Sequence, residues 1–260
     1  MPNIAISFIT SRQLDAQALA EQLQLPLANT DHDYDYLLHY EADRLQLICC
    51  QQDFSPLEVD FISGSNWHRY RYGGGKSQLI AKACGIKTTN KPSILDLTGG
   101  LARDAFALAS LGCDVTAIER HPVIAALVID GLKRAKNTTA LASLSLQLIM
   151  ADAFSYLSNA TNTLADVIYL DPMYPHREKS SLVKKDMRIL RDLVGDDDDS
   201  SHLLEPARQL ARKRVVVKRP YHAATLTPRK PDLQYSGKSA RFDVYLCANS
   251  GHQANNTEKD

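Results

Sequence analysis

The sequence predicts an α/β fold: a doubly wound, mostly parallel sheet with an antiparallel hairpin at its edge, preceded by a small α+β appendage. Three observations carry that expectation. From Pro92 onward short apolar runs alternate with stretches of helical spacing, and strands alternating with helices give parallel βαβ units. The last two apolar runs are joined by a Pro/Gly-rich connection too brief for a crossover helix, which makes them an antiparallel pair. Residues 1 to about 90 lack the alternation and read as a separate, smaller unit.

Within that first unit, Ile4 to Ile9 reads as a short strand. Gln13 to Leu25 carries Leu14, Ala18, Leu19 and Leu23 at helical spacing. Tyr36 to Tyr40 and Leu45 to Cys50 read as paired strands around the polar turn Glu41-Ala42-Asp43-Arg44. A helix is expected from Ser77 to Cys84, stopped by Gly85.

The main domain is expected over 91–248. Its strands are Ser93–Leu97, Asp114–Ile118, Leu144–Ile149, Ala165–Leu170, Arg214–Lys218 and Phe242–Ala248. Its first helices are Arg103–Leu111, ended by Gly112, and Pro122–Ala135, where Pro122 suits the first turn. Residues 249–260 are polar and expected to form a disordered tail, and Asp196–Asp199 a solvated acidic loop.

Thirty basic and thirty acidic residues cancel, so the chain does not read as a nonspecific coat for nucleic acid. Any such contact needs a local basic patch. The five cysteines (Cys49, Cys50, Cys84, Cys113, Cys247) form no CxxC pair and are odd in number, which points to reduced structural thiols. The N-terminus has no positive flank before its apolar run, and no window reaches the ~18 apolar residues of a membrane span. The expected location is therefore the cytoplasm. Histidines are scattered, so no metal site is expected.

The first βα turn reads Leu95-Asp96-Leu97-Thr98-Gly99-Gly100-Leu101-Ala102-Arg103-Asp104. Glycines after a first strand let the backbone approach a ligand, and open α/β sheets bind ligands at strand carboxyl ends. Asp96, at the strand end, can order the loop or meet a charged part of the ligand. The G-x-G-x-x-G spacing that seats a pyrophosphate is absent, which disfavours a dinucleotide and an NAD-dependent oxidoreductase. Glu119 ends the second strand, where an acid can accept both ribose hydroxyls of a nucleoside. After the third strand, Asp152 can hydrogen-bond an adenine amine while the Ala153 amide meets a ring nitrogen; equally, Asp152 can N-cap the next helix. Gly73-Gly74-Gly75-Lys76-Ser77 fails as a P-loop, because its first glycine would fall at Tyr70.

The strand Val167-Ile168-Tyr169-Leu170 ends in Asp171-Pro172-Met173-Tyr174-Pro175. Two prolines stiffen that turn. It resembles the (Asp/Asn)-Pro-Pro-(Tyr/Phe) motif of amino methyltransferases, with Met173 in place of the second proline. The resemblance implies that Asp171 and the Pro172 carbonyl accept the hydrogens of an exocyclic amine and that Tyr174 stacks on the base. A structural turn with a buried Tyr174 is the plain alternative.

Arg177, Lys179, Lys184, Lys185, Arg188 and Arg191 follow the turn and could grip phosphates, or form a solvated helix face. Arg212, Lys213, Arg214, Lys218 and Arg219 make a second cluster. Arg69, Arg71 and Lys76, interleaved with Trp67, Tyr70 and Tyr72, could extend the surface toward single-stranded RNA.

Taken together, the turn at 95–104, Glu119-Arg120-His121-Pro122-Val123, Tyr169-Leu170-Asp171-Pro172-Met173-Tyr174-Pro175-His176 and Val183-Lys184-Lys185 resemble the bacterial ribosomal small-subunit methyltransferase J family over nearly the whole chain. That resemblance implies a Rossmann-like class I methyltransferase sheet. It implies S-adenosylmethionine (SAM) as cofactor, with contacts at Arg103, Asp104, Glu119, Arg120, Asp152, Ala153 and Asp171 beside the Asp96 and Gly99 of the turn. The implied reaction is methylation of one guanine exocyclic amine in 16S ribosomal RNA, on the RNA or on the small subunit. A DNA or protein-amine methyltransferase and a non-catalytic RNA-binding assembly factor remain the alternatives.

Overall fold

A computed structural model describes residues 2–30, 32–64, 67, 78–173, 185–195 and 200–247. Tyr174, the segment carrying Arg177, Lys179 and Lys184, the Lys185 side chain, the stretch with Arg69, Tyr70, Arg71, Tyr72, Gly73, Gly74, Gly75, Lys76 and Ser77, the acidic run 196–199 and the tail from 248 lie outside the described residues.

The first unit is a three-stranded sheet: β1 (Ile4–Phe8), β2 (Tyr36–Tyr40) and β3 (Leu45–Cys49), with α1 (Gln13–Leu23) between β1 and β2. β1 runs parallel to β2, and β2 antiparallel to β3. A short helix, α2 (Leu79–Ala83), follows and ends at Gly85, whose φ of +71° is the left-handed stop that glycine adopts without strain.

The main sheet has seven strands. In chain order these are β4 (Ile94–Asp96), β5 (Val115–Glu119), β6 (Leu146–Met150), β7 (Ala165–Leu170), β8 (Ala211–Pro220), β9 (Leu233–Ser236) and β10 (Ala240–Leu246). Their spatial order is β6-β5-β4-β7-β8-β10-β9, parallel except for β10, which runs antiparallel to both neighbours. The order reverses between β4 and β7, and ligands of such sheets bind outside the strand ends at that reversal. The edge differs from the sequence expectation in one respect. β8 and β10 do pair antiparallel, but the chain between them holds β9, and the tight hairpin is β9–β10 around Gly237.

The strands form because both of their faces are apolar, as buried parallel strands require. Ile94, Val167, Tyr169 and Val216 face one layer; Leu95, Ile168, Leu170, Val215 and Val217 face the other. The first layer includes α3 (Arg103–Ser110) and α4 (Pro122–Lys136), the second α5 (Ala153–Ser158) and α7 (Leu204–Leu210). Between β7 and α7 lies α6 (Lys185–Val194), which buries Ile189, Leu190 and Leu193 on one face.

The small unit packs on α4 and shares the first layer's core. Gly131 of α4 allows the approach: a Cβ there would lie 2.6 Å from the Val59 carbonyl oxygen. Arg134 donates to the same carbonyl at 2.6 Å and pairs with Asp130 at 2.9 Å, while Asp130 accepts the Leu45 amide at 3.1 Å. All five cysteines stand as thiols, with Cys84, Cys113 and Cys247 buried.

Candidate active site

A cavity of about 570 Å³ opens where the strand order reverses. Its floor is the glycine turn after β4. Gly99 donates its amide to the Ile118 carbonyl at 2.8 Å, and a Cβ on Gly99 would lie 2.8 Å from that same oxygen. The turn can therefore lie against β5 only without a side chain. Ala102, which enters α3, has φ +54°, a left-handed conformation that costs an alanine of order 1 kcal/mol or more. The tight turn imposes this strain next to the cavity.

Each acidic strand end turns inward. Asp96, 2% exposed, accepts the Thr98 amide at 3.0 Å and the Thr98 hydroxyl at 3.2 Å. Burial pushes its carboxyl up to about 7, partly offset by the Thr98 amide and reinforced by the charges of Asp104 and Asp171. Glu119, also buried, accepts the Gly100 amide at 2.8 Å and the His121 amide at 2.6 Å. It thus fixes the glycine turn to the end of β5. Asp152 does N-cap α5, accepting the Ser155 amide at 2.8 Å, and it lines the cavity as well. Both expectations for this residue are compatible, because a carboxylate offers about four lone-pair sites.

Asp171 follows β7 directly. Its amide donates to the Thr98 hydroxyl at 2.6 Å, so the two turns that flank the strand reversal are hydrogen-bonded to each other. Its carboxylate receives Lys218 Nζ at 2.6 Å. The same ammonium reaches Asp104, on the first turn of α3, at 2.7 Å. Asp104 also accepts the buried Tyr169 hydroxyl at 2.8 Å. Burial raises the Asp171 carboxyl above the ordinary carboxylate range; the Lys218 charge opposes that rise and Asp104 adds to it. Lys218 is lowered by its burial, but the charges of Asp171 and Asp104 outweigh this and hold the ammonium above its ordinary value.

The nine residues expected to bind the cofactor (Asp96, Gly99, Arg103, Asp104, Glu119, Arg120, Asp152, Ala153 and Asp171) all line this one cavity. Pro172 is buried next to Asp171 in the chain, and Tyr174 lies outside the described residues. Sequence reading did not anticipate the wall that Leu190 and Val194 of α6 add to the cavity, nor Ser200, His202 and Leu203 in its lining. Arg103 pairs with Asp186 at the start of α6, which ties that wall to α3.

The second basic cluster does not act as one surface. Arg212 and Lys213 sit at the amino end of β8, on Asp166 at 2.6 and 3.3 Å. Arg214 donates to the Ala83 carbonyl at 3.1 Å, and the buried Arg219 to the Ala224 carbonyl at 3.1 Å. Lys218, six residues beyond Arg212 and so ~20 Å along an extended strand, belongs to the cavity. The sequence shows five nearby cations; the strand separates them by direction and distance. Of the first basic segment, Arg188 lies over the Phe54 ring at 5.2 Å.

The charges of the cavity distinguish between ligands. Asp96, Asp104, Glu119, Asp152 and Asp171 face Arg103, Arg120 and Lys218, a surplus of acid. That surplus suits SAM, whose sulfonium and ammonium outnumber its carboxylate, and opposes the two negative charges of a dinucleotide pyrophosphate. Among the described residues no group of three or more His, Cys, Asp or Glu is placed to hold a metal ion. No helix among them is long and apolar enough to cross a membrane.

The strand order, the cavity at its reversal and the acid-rich strand ends define a Rossmann-like SAM-dependent methyltransferase. The family model described as "Putative SAM-dependent methyltransferase" matches residues 18–247. A SAM-dependent methyltransferase of known structure from Neisseria gonorrhoeae superposes with a TM-score of 0.74 at 35% identity, covering 95% of this chain and 97% of its own. Proteins named ribosomal RNA small subunit methyltransferase J are similar along almost the whole length. The Coxiella burnetii protein is 52% identical over 94% of this chain and 96% of its own. The Thioalkalivibrio sulfidiphilus protein is 47% identical over 89% and 92%. The chain belongs to the ribosomal RNA small subunit methyltransferase J family.

Proposed function

We propose that this enzyme transfers a methyl group from SAM to the exocyclic N2 amine of one guanine in 16S ribosomal RNA, presented as RNA or in the small subunit. The observation that carries the reading is the placement of Asp171. Its carboxylate stands at the end of β7, at the strand reversal, on the wall of a cavity whose charge suits SAM. The names of the relatives supply the substrate class.

Bound SAM supplies an electrophilic methyl on a sulfonium. The protein's part is to hold an amine in line with it. Conjugation makes a guanine amine a poor nucleophile, so alignment contributes more than strong base catalysis. In this reading Asp171 and the Pro172 carbonyl accept the two amine hydrogens, and Tyr174 stacks on the base. As the N–CH₃ bond forms, the sulfur–methyl bond would break with its electron pair left on the departing thioether, and the nitrogen would shed one proton toward the Asp171 carboxylate. A base embedded in structured RNA must be extruded to reach that position. For the cofactor, Glu119 meets the ribose hydroxyls, Asp152 and the Ala153 amide the adenine edge. Arg120 lies beside the nucleoside, and Asp96, Gly99, Arg103 and Asp104 surround the amino-acid end.

The same reading assigns residues 91–248 to the catalytic domain, 1–90 to an appended unit docked on α4, and the enzyme to the cytoplasm, where ribosomal RNA is found. The test is methyl transfer from labelled SAM to 16S RNA. Asp171→Ala should abolish transfer, a loss far larger than any fall in SAM affinity read by calorimetry. Undiminished transfer in that variant rejects the assignment, as does tight NAD binding in place of SAM.

A further inference from the structure

One ammonium joins the two halves of the site. Lys218 enters from β8, Asp171 from the end of β7 and Asp104 from the first turn of α3, and Nζ lies 2.6 and 2.7 Å from the two carboxylates. The register makes this inevitable: Leu170 pairs with Val217, so the residues after them, Asp171 and Lys218, are neighbours at the carboxyl end of the sheet. The site would otherwise bring the carboxylates Asp96, Asp104 and Asp171 close together, with the Tyr169 hydroxyl already spent on Asp104. Like charges at this range push one another toward protonation, and a protonated Asp171 presents a hydrogen where the amine needs an acceptor.

We propose that Lys218 is a positioning residue for methyl transfer: it keeps Asp171 ionised and aimed, and locks it to Asp104 on the cofactor side of the cavity. This rests on the reading of Asp171 as the amine acceptor. Lysine suits the task because its three N–H donors sit on a compact head that can serve two carboxylates from different elements. Tyr169, whose hydroxyl orients Asp104, completes the brace from β7 itself. Among the described residues, the charged and titratable groups around Asp171 are Lys218 and Arg219 from β8, Asp104 from α3, Asp96 from β4 and Tyr169 of β7. Of these, Lys218 is the cation in hydrogen-bond contact. The direction of the Asp171 shift agrees: burial raises it and Lys218 restrains the rise.

The test compares wild type, Lys218→Met and Lys218→Arg, each checked by thermal melting and SAM calorimetry, in steady-state methyl transfer from pH 5 to 9. Lys218→Met keeps the stem and deletes the charge. It should lower kcat by ~100-fold at neutral pH, the cost of a misplaced reacting group. It should also move the acid limb of log kcat upward by at least one pH unit and change SAM affinity by less than about five-fold. Lys218→Arg keeps a cation and should leave the acid limb within about half a unit of wild type, with kcat recovering at least ten-fold over the Met variant. If Lys218→Met does not fold, the Arg variant decides alone: an acid limb displaced by a full unit overturns the proposal. An unmoved limb in a folded Met variant overturns it too, as does a loss of SAM affinity that accounts for the whole loss of rate. Asp171→Asn, run alongside, separates the two claims. If that variant is fully active, the reading of Asp171 fails whatever Lys218 does.

Discussion

Thr98 Oγ1 accepts the Asp171 amide at 2.6 Å and donates to Asp96 at 3.2 Å, so one hydroxyl holds the glycine turn after β4 and the turn after β7 in a single hydrogen-bonded unit. The two turns come from β4 and β7, adjacent strands at the point where the sheet reverses its order. Thr98→Val preserves shape and removes the hydroxyl. It leaves the Asp171 amide without its acceptor, a cost of about 1–3 kcal/mol when such a group is buried. The expected result is a kcat lower by ~10- to 100-fold with SAM affinity changed only a few-fold, read by steady-state kinetics and calorimetry. Equal losses in both would mean that Thr98 serves the glycine turn alone.

Asp96 should make the fold less stable as pH rises. Its folded pKa of about 7 lies above the ordinary value of 3.8, so the folded protein holds a proton that the unfolded chain has already released. The linked stability is therefore fully present below about pH 4, falls between pH 4 and 7, and is lost above 7. Asp96→Asn removes that dependence. Thermal melts should show the variant several degrees more stable than wild type at pH 8, with the two converging near pH 4. On the proposed placement of Asp96 at the amino-acid end of the cofactor, SAM should bind the variant more weakly above pH 7, where the wild-type carboxyl is ionised. A variant less stable than wild type at pH 8 would contradict the burial cost.

Glu119 receives two backbone amides and so fixes the glycine turn before any ligand arrives. Glu119→Gln replaces one acceptor oxygen by a donor. Charge-assisted hydrogen bonds of this kind contribute about 1.5–3 kcal/mol, so SAM affinity should fall by ~10- to 100-fold in calorimetry. The saturated rate should fall much less, as the proposed placement of Glu119 at the ribose requires.

Gly131 gives a prediction whose sign decides the matter. In a mid-helix position Ala is ordinarily better than Gly by about 1 kcal/mol. Here a Cβ would lie 2.6 Å from the Val59 carbonyl oxygen, where α4 supports the N-terminal unit. Gly131→Ala should therefore destabilise, by roughly 1–3 kcal/mol in denaturant unfolding, with SAM affinity near wild type. A stabilised variant would show that the two elements can part at no cost.

The parts of the fold that the sequence revealed share a physical cause. Strands with two apolar faces, such as Ala165–Leu170, and helices opened by Pro122 or stopped by Gly85 or Gly112 carry their own signals. β9 carried only a weak one, since Leu233–Ser236 alternates apolar and polar residues over just four positions and is mostly exposed at the sheet edge. α7 was hidden by Pro206, which a first turn tolerates but which reads as a breaker in sequence. The candidate acids Asp96, Glu119, Asp152 and Asp171 were legible because each ends or follows a strand that could be recognised, and Asp104 because it opens the helix after the glycine turn. Lys218 was legible as a cation and illegible as a partner of Asp171, because a charge run along one strand does not say which neighbour each side chain meets. The α6 wall of the cavity was equally hidden: Leu190 and Val194 lie far from the glycine turn in sequence, and folding brings them to it.

Mass mapping of 16S ribosomal RNA from cells lacking this gene, before and after treatment with the enzyme and SAM, tests the proposed reaction at its product. The expected result is that one guanine lacks a methyl on its N2 amine in the deletion, that wild-type protein restores it, and that Asp171→Ala does not. A restored methyl on any other atom, no change on treatment, or full restoration by Asp171→Ala would contradict it.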